Sequence, residues 1–185
     1  VPVGLQGRVR AAARGSRQGA MADRPSQLWK RMSADARVEA AEAFWRDEES
    51  PEIETQHVEA LLTLSNRLKF RPKSLQQMPV ERLAKHLGHL SDVSDPVATR
   101  ALIAYHFTSK RPLMGAFLDA LGIAHEHGMI SGEDVAPPSV DALERAMKQV
   151  RESFSADDVD LYLRTLVALD GGTWQHLDGL LSPAS

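Results

Sequence analysis

The sequence predicts an all-α fold, a compact bundle of about eight or nine short helices. From Ser26 onward, apolar residues recur at spacings of three and four, and capping residues, prolines or glycines separate the amphipathic runs. No stretch alternates apolar and polar residues between hairpin turn signals, as a half-buried strand would. We therefore expect one all-helical domain over residues 26–185.

The first predicted helices begin at serine caps. Ser26 precedes a run that contains Trp29, and Ser33 precedes a run that ends with Phe44 and Trp45. A serine oxygen at this position accepts an amide hydrogen bond from the first turn of the helix. The next run places four apolar residues and one serine on one face, which the pattern predicts to be the core-facing one: Val58, Leu61, Leu62, Ser65 and Leu68.

The middle of the chain predicts a buried central helix. Residues 97–107 are apolar around most of the helical circumference, and such a helix is normally surrounded by others. An amphipathic run follows it, and Gly128 is a suitable left-handed stop for that run. His125 and His127 would then lie near a helix carboxyl end, where the helix dipole stabilises protonated histidine.

The clearest linker spans residues 131–139, which contain one glycine and two prolines. After it, apolar residues follow a heptad-like spacing over Val140–Phe154. This seam could serve homo-oligomerisation, but two heptads are short for an independent coiled coil, which favours internal packing. Ser155 and Asp158 form a capping-box pattern for the following helix, and a short last helix contains Trp174.

Composition excludes several classes of function. The chain has no cysteine, which rules out disulfides, thiolate zinc sites, iron–sulfur clusters and a cysteine nucleophile. No apolar run approaches the roughly 18 residues of a membrane helix. No phosphate-binding glycine loop or G-x-S-x-G elbow occurs. We expect a soluble cytoplasmic protein with no cofactor and no membrane partner, more readily a binding protein than an enzyme.

The first residues differ from the rest of the chain. Residues 1–20 contain Arg8, Arg10, Arg14 and Arg17 and no acid, and residues 1–25 are expected to form a flexible basic segment. Three interpretations are open: a targeting peptide, a basic arm for nucleic acid or anionic lipid, or a stretch outside the native protein that begins at Met21.

Charge is segregated along the sequence. Residues 34–60 carry nine acids and two bases, residues 61–112 carry nine bases and three acids, and residues 113–185 carry twelve acids and four bases. Exposed charge pairs contribute little to stability, so stability alone explains this layout poorly. One interpretation is that the blocks face each other within the fold or form solvated faces. The functional alternative is a basic face that binds an acidic partner.

The predicted basic face is centred on residues 66–73. Its partner would be an unknown protein or other acidic surface, and nucleic acid is possible but not favoured because the pI is about 6.2. The candidate binding residues are Arg67, Lys69, Arg71, Lys73, Arg82, Lys85, Lys110 and Arg111.

Two alternative functions use the same region. His86, His89 and Asp92 are spaced at three, so they could share a helix side and hold a divalent metal, and a helical-bundle enzyme could use a pocket near His106 as its general base. Residues 80–102 also resemble a DNA-binding helix-turn-helix, although the connection between the two predicted helices is too long and too acidic for the usual turn.

Overall fold

The computed structural model describes residues 22–50, 52–132 and 135–181. This part of the chain contains ten α-helices and one two-residue β-hairpin, which confirms the all-α prediction. The expected count of eight or nine helices is slightly low. The predicted flexible segment and its four arginines lie outside the described residues, except for residues 22–25.

The element bounds follow the predicted runs closely. The helices are α1 (Pro25–Arg31), α2 (Ala34–Arg46), α3 (Ile53–Leu68), α4 (Pro72–Gln76), α5 (Val80–His89), α6 (Asp95–Ser109), α7 (Arg111–Ala120), α8 (Val140–Ser153), α9 (Ala156–Leu169) and α10 (Gln175–Leu181). The strands are β1 (His125–Glu126) and β2 (Met129–Ile130), which pair antiparallel. No described helix has both the length and the apolar character needed to cross a membrane.

Residue contacts divide the described chain into two compact units. The first unit is Arg24–Ser109, and the second contains Asp23 and the described residues from Lys110 onward. The predicted linker at residues 131–139 lies inside the second unit. A single domain over residues 26–185 stays a prediction.

The first unit is built around α2, α5 and α6. Trp29 and Phe44 are fully buried, and the Trp29 indole Nε1 donates a 2.8 Å hydrogen bond to the Leu90 carbonyl after α5. The side chain of Asp95, at the start of α6, accepts a 3.0 Å bond from the Ser26 amide in α1. As predicted, most of α6 is buried, including its central Ala101 and Leu102.

The prediction for the core-facing side of α3 is wrong for three of its five residues, Val58, Leu62 and Leu68, which are exposed. Val58 is 55% exposed and Leu62 is 53% exposed, whereas Ile53, Ala60 and Leu64 are buried. Both sets recur at helical spacings, so the pattern alone cannot choose between the two sides. The choice is made by packing against α4, α5 and α6.

The second unit packs α7, α8, α9 and α10 around Phe117 and Trp174, which are both buried. Ser139 and Ser155 cap α8 and α9 by accepting the amides of Ala142 and Asp158, at 3.3 and 3.2 Å. The heptad-like seam of α8 is buried in this unit at four positions, which confirms internal packing: Leu143, Ala146, Met147 and Val150.

The prediction that His125 and His127 end a helix is wrong. Helix α7 ends at Ala120 and is followed by Gly122 in the left-handed region with φ of 68°. His125 instead begins the hairpin, and Gly128, with φ of 85°, lies in its turn. Two residues per strand are too few to leave an alternating pattern, so the sequence carries no strand signal here.

Candidate functional site

The cations at the end of α3 and in the segment that follows it are all exposed. Arg67 lies in the last turn of α3, and Lys69 follows the helix in the left-handed region with φ of 60°. Arg71 is the N-cap residue of the five-residue helix α4, and Lys73 lies within that helix. All four side chains are exposed, whereas Leu75 of α4 is buried and packs this segment against the rest of the first unit.

A ring contact places this segment beside α5. Phe70 lies against His86, with the ring centroids 5.3 Å apart. The Phe70 carbonyl also accepts a 2.8 Å hydrogen bond from the Ser65 hydroxyl of α3. Because Phe70 separates Lys69 from Arg71 in the chain, this contact holds both cations next to the side of α5 that bears His86.

Helix α5 adds two exposed cations to the same side. Arg82 and Lys85 lie four residues and one residue before His86. Burial lowers the pKa of His86 below its ordinary value, and repulsion from Arg82, His89 and Lys85 lowers it further. Arg82 and Lys85 therefore place positive charge close to His86 on the same helix.

The acids of this region already have partners. Asp92 pairs with Arg67 at 3.4 Å, and Glu81 pairs with Arg46 at 2.6 Å. Asp95 accepts the Ser26 amide, and Arg24 lies 4.0 Å away. Among the exposed cations of the first unit that have no carboxylate partner in the described part of the chain, five lie between the end of α3 and α5, and we call them the basic cluster: Lys69, Arg71, Lys73, Arg82 and Lys85.

The remaining predicted cations are arranged differently. Arg67 is exposed, but it is paired with Asp92. Lys110 belongs to the second unit, where its Nζ lies 2.9 Å from Asp158 Oδ1. Arg111 begins α7 in the same unit and is exposed. The basic cluster is therefore narrower than the predicted basic face.

The structure does not bring the predicted metal ligands together. His89 bonds through Nδ1 to the Lys85 carbonyl, and Asp92 is engaged by Arg67. No group of three or more His, Cys, Asp or Glu residues with metal-binding geometry occurs among the described residues. His86 faces Phe70 and the surrounding cations, which repel a metal ion.

The enzyme alternative and the helix-turn-helix alternative both use residues of α6 that are buried. His106 is 3% exposed, beside the ring of Tyr105, with ring centroids 5.5 Å apart. Arg100, which the helix-turn-helix interpretation needs as a base reader, is only 8% exposed. A recognition helix must present several polar side chains to a DNA groove, and α6 is buried around most of its circumference.

Among the open depressions on the surface of the described residues, one of about 370 Å³ has a mostly polar lining of Thr63, Asn66, Arg67, Asp92, Val93 and Ser94. Its one cation, Arg67, is already paired. Another, of about 490 Å³, lies along α8 and is lined by Glu144, Met147, Lys148, Arg151, Glu152 and Leu180. Two acids and two bases balance there, so neither depression adds unpaired charge.

Phe70 and Ser65 are the residues of this site that sequence analysis missed as functional. They position the cluster without carrying charge. The only signal in the sequence is the place of Phe70, an aromatic residue between two cations.

Comparisons of the chain with known proteins identify no relative. No protein-family model, no curated protein sequence and no solved structure matches the chain.

Proposed function

We propose that this chain is a helical interaction module that binds an acidic partner through the basic cluster. The observation that carries this proposal is that five exposed cations without a carboxylate partner follow one another between the end of α3 and α5, where the contact of Phe70 with His86 holds the two segments side by side. Like charges held close together repel, so the arrangement costs free energy unless an anionic partner neutralises it.

The proposal includes a cytoplasmic location and a protein as the partner rather than duplex nucleic acid. The whole chain has a net charge of −3 and a pI of about 6.2. An extended nucleic acid would meet the acidic blocks as well as the basic cluster, whereas a short acidic protein segment meets only the cluster.

A fluorescein-labelled peptide of about twelve glutamates is a suitable probe, with binding followed by fluorescence anisotropy. Raising NaCl from about 20 to about 200 mM should weaken binding by about tenfold or more, because the attraction is screened. Replacing Arg71, Lys73, Arg82 and Lys85 together by Gln should weaken binding at low salt by a similar factor.

The matched control neutralises four exposed cations elsewhere, by replacing Lys30, Arg145, Lys148 and Arg151 with Gln. Both variants change the net charge equally. The control should therefore retain most of the affinity if the cluster is the binding surface. Equal losses in the two variants, or binding that is insensitive to salt, would show that the cluster is not a binding site.

A further inference from the structure

Helix α3 carries an apolar stripe on the side that faces away from its buried residues. Val58 and Leu62 lie one turn apart and are 55% and 53% exposed, the largest exposures among the big apolar side chains described. Ile53, Ala60 and Leu64 face the unit's interior. The stripe therefore has no cover from the described residues.

Opposite charges flank this stripe at the two ends of the helix. Glu54 is exposed one turn before Val58, and Lys69 is exposed two turns after Leu62. At 3.6 residues per turn, positions 54, 58 and 62 fall along one side of α3, and the backbone of Lys69, the left-handed residue that ends the helix, lies at the end of the same side. Neither Glu54 nor Lys69 forms an ion pair with another residue in the described part of the chain.

Glu54 and Lys69 cannot meet within one chain. Fifteen residues of helix separate them, which corresponds to about 22 Å. In two antiparallel copies of α3, however, the Glu54 end of one helix lies beside the Lys69 end of the other. The midpoint between Glu54 and Lys69 falls within about 2 Å of the midpoint between Val58 and Leu62, so one two-fold axis aligns both pairs.

We propose that α3 is a self-association surface whose partner is α3 of a second copy of this chain. Val58 and Leu62 of the two copies pack across the axis, and each Glu54 pairs with the Lys69 of the other copy. This inference shares Lys69 with the basic cluster but does not rest on the proposed function, since the acidic peptide and the second copy are separate ligands measured by separate methods.

The apolar area of this surface predicts a weak dimer. A stable interface buries roughly 800 Å² on each partner, and two half-exposed side chains supply only part of that area. We expect a dissociation constant on the order of 100 µM that rises with salt, because the flanking charge pairs are exposed.

Sedimentation velocity from about 10 µM to about 1 mM tests the apolar contact. The sedimentation coefficient of the wild-type chain should rise over this range, and Leu62→Lys should remove the rise. Val140→Lys is the matched control, because Val140 is 42% exposed on a different helix. A wild-type chain that stays monomeric, or a Leu62→Lys variant that associates normally, would overturn the proposal.

A charge exchange tests the pairing itself. Glu54→Lys alone and Lys69→Glu alone should each weaken association by about fivefold or more, because each puts like charges together. An equimolar mixture of these two variants should associate better than either one, since both pairs of the mixed dimer again join opposite charges. The double variant should also recover. A mixture or double variant as weak as the single variants would exclude the antiparallel α3 arrangement.

Discussion

Gly88 sets the closest approach between α2 and α5. A Cβ atom at this position would lie 2.6 Å from the Cα, N and Cγ2 atoms of Val38. The Arg37 Nε also donates a 2.8 Å hydrogen bond to the Gly88 carbonyl. In the sequence, this glycine looks like a weak point in a helix. In the fold, it lets two backbones meet.

Gly88→Ala is expected to destabilise the chain by roughly 2–4 kcal/mol, because backbone atoms of Val38 cannot move aside without shifting α2. Urea denaturation at constant m-value measures this loss. Gly179→Ala is the control: it lies in α10, and a Cβ there meets nothing within 4 Å. This control should be neutral or stabilising by up to about 1 kcal/mol. Equal effects at the two glycines would contradict the close approach.

His86 gives the fold a pH dependence with a definite sign. Burial, and then the nearby cations, hold its pKa below the ordinary value of 6.5, so folded His86 is neutral in a range where unfolded His86 binds a proton. The unfolded state then carries more protons, and stability rises with pH. As the pH falls below about 6.5, the free energy of unfolding should fall until the pH reaches the lowered pKa.

His86→Gln should flatten this part of the stability profile, measured as urea midpoints from pH 7.5 down to pH 5. His176→Gln removes an exposed histidine of α10 and should leave the slope unchanged. If the wild-type and His86→Gln profiles run parallel, the burial of the imidazole has no effect on stability.

At the scale of the elements, local sequence signals predict the longer helices, but they do not predict the short helix α4 or the hairpin. The serine caps of α2 and α9 lie where the sequence predicts them, because a cap involves residues only three apart. The prediction that Ser26 caps the first helix is wrong, since Ser26 lies inside α1, whose N-cap residue is Arg24. The short helix α4 and the hairpin were missed, since five residues and two residues are too few for a period. The hairpin is instead held by His125, which accepts the Gly128 amide at Nδ1 and contacts Asp119 through Nε2.

Arg164 connects α9 to two distant parts of the second unit. It bonds to Asp160 at 2.8 Å, to Asp23 at 3.0 Å and to the Leu181 carbonyl at 2.7 Å. Its side chain and that of Asp23 are both largely buried, so the pairing is shielded from solvent. Nothing in the sequence marks this arginine, because its partners lie up to 141 residues away.

Arg164→Met should cost about 2 kcal/mol or more of stability, because it removes three hydrogen bonds, one of which belongs to the shielded ion pair with Asp23. Thermal or urea denaturation is the measurement. Arg145→Met removes an exposed arginine of α8 and should change stability by less than about 0.5 kcal/mol. Similar losses in the two variants would mean that the Arg164 bonds contribute nothing beyond an exposed charge.

At the scale of the whole molecule, charge segregation acquires a physical interpretation from the ion pairs. The three acids inside the basic stretch, Glu81, Asp92 and Asp95, each lie within 4.0 Å of an arginine, and five cations of this stretch have no carboxylate partner in the described residues. The exposed stripe of α3 joins an acidic end to a basic end. The binding experiment tests the basic cluster, and the sedimentation experiment tests the exposed stripe of α3. Both surfaces lie at or shortly after the point where the acidic residues 34–60 are followed by the basic residues 61–112.

The sequence by itself determined the helical class, the serine caps of α2 and α9, and the three core tryptophans, which are 0%, 8% and 2% exposed. These features depend on residues within one or two turns of each other, and local spacing records them. Only the tertiary structure decided which side of α3 packs against the other helices, which backbone approach requires glycine at position 88, and which cations have no carboxylate partner. Those outcomes depend on contacts such as Arg46 with Glu81 and Ser26 with Asp95, which lie 35 and 69 residues apart. No local pattern encodes contacts at that separation.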